Sequence, residues 1–221
     1  MGSSSQQFKC DIYYHLARVG KALSSPRRLH IIDLLCEGPK TVEKLSNETG
    51  MTVANTSQHL QTLLEARLVE FEKKGLYSIY QLSDPVVGTM FHHMQILGEN
   101  LLADIQKLIE DVFGKHGDIE QIDACQLLEK LNKGKVTLID VRPKEDYEED
   151  HLPGASSMPL EELEKHLEKL PPDQEIVAYC RGRYCLLSVE AVALLNKHGY
   201  TAIRFEDDIT PWSTIEEYCE Y

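Results

Sequence analysis

No apolar run in the 221 residues reaches the length of a membrane span, which takes about 20 residues. The N-terminus also lacks a basic segment followed by an apolar one, so neither a spanning helix nor a secretory leader is expected. Met1-Gly2-Ser3-Ser4-Ser5-Gln6-Gln7 is a polar tail, set aside from the fold. The expected compartment is the cytoplasm. There the six cysteines, at 10, 36, 125, 180, 185 and 219, are expected to be mostly reduced thiols. They form no paired CxxC, which argues against a zinc ribbon. No metal and no cofactor is expected. Positive charge is scarce too: the net charge is −13, which taken alone argues against nucleic acid.

The distribution of charge says otherwise. Residues 1–90 hold 10 Lys and Arg against 9 Asp and Glu, whereas residues 91–221 hold 13 against 27. A near-neutral front half with local basic clusters can still meet DNA, and the asymmetry suggests two modules with different partners. The 42% of apolar residues suffices for packed cores.

In the front half, Leu16 to Cys36 reads as helix, interrupted at Ser24-Ser25-Pro26, where Ser25 can cap a new helix with Pro26 at its first position. Gly38-Pro39 stops it. Thr41 opens a short helix, Gly50-Met51-Thr52 turns the chain, and Val53 to Ala66 forms the second helix of a helix-turn-helix. Val69 to Leu82 alternates as a hairpin with Lys73-Lys74-Gly75 at its tip. Val86 to Val112 reads as one long helix, with Met90, Met94, Leu97, Leu101, Ile105, Leu108 and Val112 in a stripe near heptad spacing. Such a stripe suits packing against a second copy of the chain, and packing on its own domain is the plainer alternative. The linker is expected at 114–118.

A recognition helix should start with short hydrogen-bonding side chains. Thr52, Asn55, Thr56, Ser57, Gln58 and His59 supply them, and Asn and Gln can pair with adenine edges. Lys73 and Lys74 are placed to meet phosphate. The expected partner is a double-stranded DNA operator.

From Ile119 strands and helices alternate: Ile119–Ile122, helix Asp123–Leu131, strand Val136–Val141, helix Leu160–Leu170, strand Ile176–Tyr179, helix Tyr184–His198 and strand Ala202–Phe205. This pattern predicts a largely parallel sheet between helices. Cys180 then falls at the carboxyl end of a central strand, where open α/β sheets bind ligands. In the loop Cys180-Arg181-Gly182-Arg183-Tyr184-Cys185, backbone N–H groups, a following helix N-terminus and two arginines should lower the pKa of Cys180. Cys185 lies across the loop, at the first turn of the helix. It either reacts with the Cys180 sulfur or merely lines the loop, and the sequence leaves both open. Cys125 and Cys219 are read as solvent or core thiols.

Two resemblances follow. The run Ala22-Leu23-Ser24-Ser25-Pro26-Arg27-Arg28-Leu29-His30-Ile31-Ile32, with Thr56-Ser57-Gln58-His59-Leu60-Gln61-Thr62-Leu63 and Ala66-Arg67-Leu68-Val69, resembles the ArsR family. That resemblance covers about residues 10–110 and implies a dimeric winged-helix repressor, with the dimer formed through residues 86–112. Family metal sites are not matched: Thr41–Gly50 has no Cys, and His92 and His93 read as surface or interface residues. A family dithiol switch would need a Cys on the last helix, and Val86–Val112 has none. Cys36 reads as core, and Cys10 is left as a substitute.

Residues 119–218 resemble a rhodanese domain through Asp140-Val141-Arg142, Tyr147, His151-Leu152-Pro153-Gly154-Ala155, Pro159, the Cys180 loop and Gly199-Tyr200. That implies sulfane sulfur taken onto Cys180 from a donor such as thiosulfate or polysulfide, with Arg181 and Arg183 orienting an anionic donor. Asp140 and Arg142 are expected to support the loop, and His151 to sit in the core. Asp150 and Glu206-Asp207-Asp208, ahead of Trp212, depart from the family pattern. Phosphatase or arsenate chemistry would need an Arg six residues after the Cys, and Leu186 stands there.

The expected organisation is a mainly α winged-helix domain at 10–113, the linker at 114–118, and an α/β rhodanese-like domain with a largely parallel sheet at 119–221. The expected function is a regulator whose DNA binding is gated by sulfur on Cys180. The alternative is mainly a sulfurtransferase, with the winged helix serving localisation or dimerisation.

Overall fold

The computed structural model describes residues 2–116, 119–134 and 136–206. Gly117, Asp118, Asp207, Asp208, Trp212 and Cys219 lie outside the described residues. The chain divides into two compact units, 1–94 and 95–221.

The first unit runs α1 (Gly2–Leu23), α2 (Pro26–Cys36), β1 (Lys40–Thr41), α3 (Val42–Thr49), α4 (Val53–Glu65), β2 (Val69–Lys74), β3 (Tyr77–Leu82) and the start of α5 (Pro85–Leu101). The polar tail is thus helical, as the opening of α1. Ser25 sits at the N-cap of α2 as expected, but its side chain makes no capping hydrogen bond. Thr41 does cap α3, its hydroxyl oxygen accepting from the Lys44 N–H at 3.2 Å. Gly50 ends α3 at φ +65°, a left-handed conformation that glycine adopts without penalty, and this reverses the chain into α4. Ile31, Ile32, Leu45, Leu60 and Leu63 are wholly buried between α2, α3 and α4. Each such side chain contributes about 1.5–3 kcal/mol of burial. Three antiparallel strands in the order β1-β3-β2 form the wing.

The expected single helix over 86–112 is two. α5 stops at Leu101, Leu102 takes an extended backbone (φ −108°, ψ 102°), and α6 runs Ala103–Phe113. A Cβ on Gly98 would stand 3.1 Å from Ile105 Cδ1, so glycine there allows α6 to close back on α5. The apolar stripe is divided accordingly. Met90 and Met94 pack against the core of the first unit, beside buried Val87 and Phe91. Leu97, Leu101 and Leu108 are exposed.

The second unit continues through a 3-10 turn (Gly114–His116), which opens the expected linker. Then follow β4 (Gln121–Ile122), α7 (Ala124–Asn132), β5 (Val136–Asp140), α8 (Lys144–Glu149), β6 (Ser156–Ser157), α9 (Leu160–Leu163), a 3-10 segment (Glu164–Lys169), β7 (Glu175–Tyr179), α10 (Leu187–Lys197) and β8 (Ala202–Phe205). The sheet is parallel throughout, in the order β4-β8-β7-β5-β6, with β7 in the middle. Apolar clusters pack on both faces of this sheet. Asp123 caps α7 in a reciprocal box with Gln126.

Candidate functional site

On the winged-helix unit the capping role of Thr52 is visible: its hydroxyl oxygen accepts from the Asn55 N–H at 3.3 Å. Asn55, Ser57 and Gln58 are exposed along the start of α4, and His59 is partly buried. Thr56, expected to face DNA, is wholly buried; its hydroxyl donates to the Thr52 carbonyl at 3.0 Å, so it belongs to the core. Burial, then Arg28 and Arg27, hold the His59 pKa below its usual value. Those two arginines were not singled out by their chemistry in the sequence. Arg27 donates to the Thr49 carbonyl at 3.2 Å, and Arg28 to the Lys21 carbonyl at 2.9 Å, tying α2 to α3 and α1. Lys73 and Lys74 are exposed at the end of the hairpin, and Lys74 lies 3.6 Å from Glu72.

His92 and His93 meet edge to face at 6.0 Å. Among the described residues no three His, Cys, Asp or Glu cluster as metal ligands. Cys10 is an exposed thiol, and Cys36 is half-buried against the first core. Cys125, expected as a thiol, is held in a disulfide.

In the second unit the chain leaves β7 at Tyr179 and enters α10 at Leu187, so Cys185 precedes the helix instead of lying in its first turn. Gly182, at φ +94°, makes the bend between the two cysteines, and the Cys185 N–H donates to its carbonyl at 3.2 Å. Cys180 is 2% exposed. Its Sγ lies 3.1 Å from Ser188 Oγ and 3.6 Å from the Cys185 carbonyl oxygen. Tyr184 and Leu186 are exposed beside it.

The ionisation of the two thiols differs from the expectation. Burial pushes Cys180 well up, reinforced by its hydrogen bond to Cys185 and by the charge there, against the hydroxyl and N–H of Ser188. Cys185 is lowered to about 6: the Cys180 hydrogen bond leads, opposed by burial and helped by the N–H groups of Arg181 and Leu187. The two sulfurs are thus pushed in opposite directions, Cys185 towards the thiolate and Cys180 towards the thiol. Cys180, expected to be lowered, is raised, and the Arg181 and Leu187 N–H groups help to lower the second sulfur instead.

The loop arginines are engaged as well. Arg181 Nε donates to Asp146 at 3.0 Å. Arg183 Nε donates to Glu99 at 2.7 Å, and its Nη2 lies 3.6 Å from Glu206. Both are paired with carboxylates before any donor arrives. Two residues that sequence reasoning passed over complete the site: buried Ser188 on α10 and buried Arg204 on β8, whose Nε donates to Ser188 Oγ at 3.1 Å.

Asp140 and Arg142 form a buried pair, with Arg142 Nη2 at 2.7 Å from Asp140. Burial alone would lower the Arg142 pKa, and the Asp140 hydrogen bond and charge raise it further than burial lowers it. Arg142 also donates to the Asp150 carbonyl at 2.6 Å, while the Tyr179 hydroxyl accepts from the Leu152 N–H at 3.1 Å. The pair thus supports the 150–152 segment. His151, expected in the core, is exposed and stacks on Tyr147 with ring centroids 4.0 Å apart.

Two family models match: the arsR family of bacterial regulatory proteins over residues 25–70, and the rhodanese-like domain over residues 123–214. The HTH-type transcriptional regulator Rv0324 of Mycobacterium tuberculosis is 38% identical over 92% of this chain and 89% of its own. The putative sulfurtransferase YtwF of Bacillus subtilis is 27% identical over 43% of this chain and 91% of its own. Among solved structures, the homodimeric winged helix-turn-helix DNA-binding domain (fragment 1–100) Mb0332 from Mycobacterium bovis is 35% identical. It covers 43% of this chain and 89% of that one, with a TM-score of 0.42. A relative aligned along nearly the whole sequence, with one family model over the winged helix and another over the parallel sheet, makes this chain a member of the ArsR family of DNA-binding transcriptional regulators that carries a rhodanese-like domain.

Proposed function

We propose that the protein is a repressor whose DNA binding responds to sulfane sulfur taken up on Cys180. The winged-helix part, residues 10–113, reads DNA with Asn55, Ser57, Gln58 and His59 on α4 and meets phosphate through Lys73 and Lys74. The rhodanese-like part, residues 119–221, takes up the sulfur. Dimerisation proceeds through residues 86–112, where Leu97, Leu101 and Leu108 are exposed.

One observation carries the sulfur reading: two free thiols bracket one loop, Cys180 buried and Cys185 half-buried, and their surroundings push the first towards the thiol and the second towards the thiolate. Cys185 accepts the Cys180 proton as Cys180 attacks the outer sulfur of thiosulfate; a Cys180 persulfide forms and sulfite leaves with its electron pair. Cys185 then loses that proton to solvent and attacks the Cys180 sulfur. A disulfide forms, and the terminal sulfur leaves as hydrosulfide after taking a proton from solvent. The gating route starts at Arg183, in the loop, which holds Glu99 on α5, and α5 begins with Val87 and Phe91 buried in the winged-helix core.

The test is fluorescence anisotropy on the DNA upstream of the gene, at fixed salt, with and without thiosulfate or a polysulfide. A several-fold change in affinity that Cys180→Ser abolishes is expected. Tight specific binding that ignores the donor would leave a repressor and a sulfurtransferase sharing one chain, and the gating would be refuted.

A further inference from the structure

Arg204 is the largest fully buried side chain, 1% exposed, and the sulfur steps above make no use of its charge. Among the described residues its hydrogen-bond and ring partners are neutral: Ser188 Oγ, the Gly182 carbonyl at 3.3 Å, the Arg183 carbonyl, and the face of Phe113 at 5.0 Å, while the Glu206 carboxylate acts on it through its charge. Burying a guanidinium away from a carboxylate is costly, and the cost is offset where an anion forms close by. The anion that forms close by is sulfur. Cys180 and Arg204 touch the same hydroxyl, at 3.1 Å each.

Resting on the sulfur-uptake reading, we propose that Arg204 is a positioning residue that acts through Ser188 to hold the sulfur of Cys180 as an anion. A serine hydroxyl has one proton and two lone pairs. Arg204 Nε–H occupies one lone pair. When Cys180 is a thiol, its S–H donates to the other. When Cys180 loses its proton, the hydroxyl turns and donates its own hydrogen to the sulfur, and the Ser188 N–H already faces it. Arg204 favours that second state twice over, by polarising the hydroxyl and by placing a positive charge one side chain away from the sulfur. The charges run both ways: burial pulls the Arg204 pKa down, and the Cys180, Glu206 and Cys185 charges push it back up. The two further bonds to the Gly182 and Arg183 carbonyls fix the loop to the same guanidinium, so the cation keeps its place as the sulfur changes. Arg181 is held by Asp146 and Arg183 by Glu99, whereas the hydrogen bonds of Arg204 go to the Ser188 hydroxyl and to two loop carbonyls.

The test reads the pH dependence of Cys180 alkylation by iodoacetamide, followed by the mass of its peptide, in the full chain carrying Cys185→Ser. Arg204→Met is expected to raise the midpoint by about one pH unit, tenfold less thiolate at a fixed lower pH. Ser188→Ala should raise it by less, and Arg204→Lys should hold it near its parent. An unmoved midpoint in Ser188→Ala overturns the relay, and a Lys variant displaced as far as the Met variant overturns the role of charge. If circular dichroism shows that Arg204→Met does not fold, the Ser188→Ala and Arg204→Lys midpoints decide the matter alone. Alkylation needs neither sulfur transfer nor DNA, so a displaced midpoint in a chain that takes up no sulfur would defeat the uptake reading and spare this inference.

Discussion

The start of α4 and the loop after β7 solve opposite problems with similar residue types. Along α4, Asn55, Ser57 and Gln58 stand in solvent, and their value lies in having donors and acceptors to spare. Around the cysteine loop little is spare: Arg181 is on Asp146, Arg183 on Glu99, Arg142 on Asp140, Ser188 on Cys180 and Arg204. A surface that reads a large partner must stay unsatisfied until it arrives. A site that stabilises a small anion must be arranged beforehand, because reorganising dipoles around a buried charge is expensive. The buried half should therefore be the brittle one.

Substitution tests that brittleness, and its largest effect is expected at Arg142→Ala. It leaves Asp140 buried without its partner and should cost about 3–5 kcal/mol, read in the unfolding transition of the second unit in urea. A cost under 1 kcal/mol would mean the pair is relieved by water. On the other side, Asn55→Ala should cost about 1–3 kcal/mol of binding to the specific operator and little stability. Lys73→Ala should weaken all DNA alike and reduce the salt slope by about one unit. Sequence preference lost with Lys73 would place base reading in the wing.

Ionisation sharpens the contrast. Because the Cys185 pKa is depressed to about 6, its thiolate fraction rises with pH through that value and is nearly complete at pH 7.5. Iodoacetamide at pH 7 should label Cys185 ahead of Cys180, with the Cys185 rate falling as pH drops below 6. Peptide mapping that finds Cys180 labelled first would reverse the assignment of proton and anion. The smallest effect is expected from Glu99→Gln, which releases Arg183. Affinity for DNA without donor should stay within twofold, and the response to sulfur should shrink several-fold; an undiminished response removes this pair from the gating route.

Much of this was legible in the sequence, and the exceptions have physical causes. The helix-turn-helix, the hairpin, the parallel strands and the placement of Cys180 follow from periodicity and from glycines at turns, which act locally. Thr56 misleads because a threonine in a helix can return its hydroxyl to the carbonyl four residues back and bury its methyl group. The break at Leu102 is hidden because apolar residues continue at helical spacing on both sides of it, while the close approach that it brings, Ile105 to Gly98, is a contact across the turn. The cysteine loop shows Arg181 and Arg183 openly, but not Asp146 and Glu99, which neutralise them from 35 and 84 residues away. Ser188 and Arg204 are missed for the same reason: one lies beyond the loop and the other arrives with the last strand, and no spacing rule joins them.

The interruption at Leu102 also has a mechanical meaning. Glu99 lies upstream of it, so a push on that carboxylate enters the chain on α5, ahead of the break. From Glu99 back to Val87 the helix spans about 18 Å. Pivoted on its buried end, such a lever converts a sideways displacement of about 1 Å at Glu99 into a tilt of about 3°. Under the proposed gating, the short arm is what turns a small displacement at Arg183 into a change of helix direction.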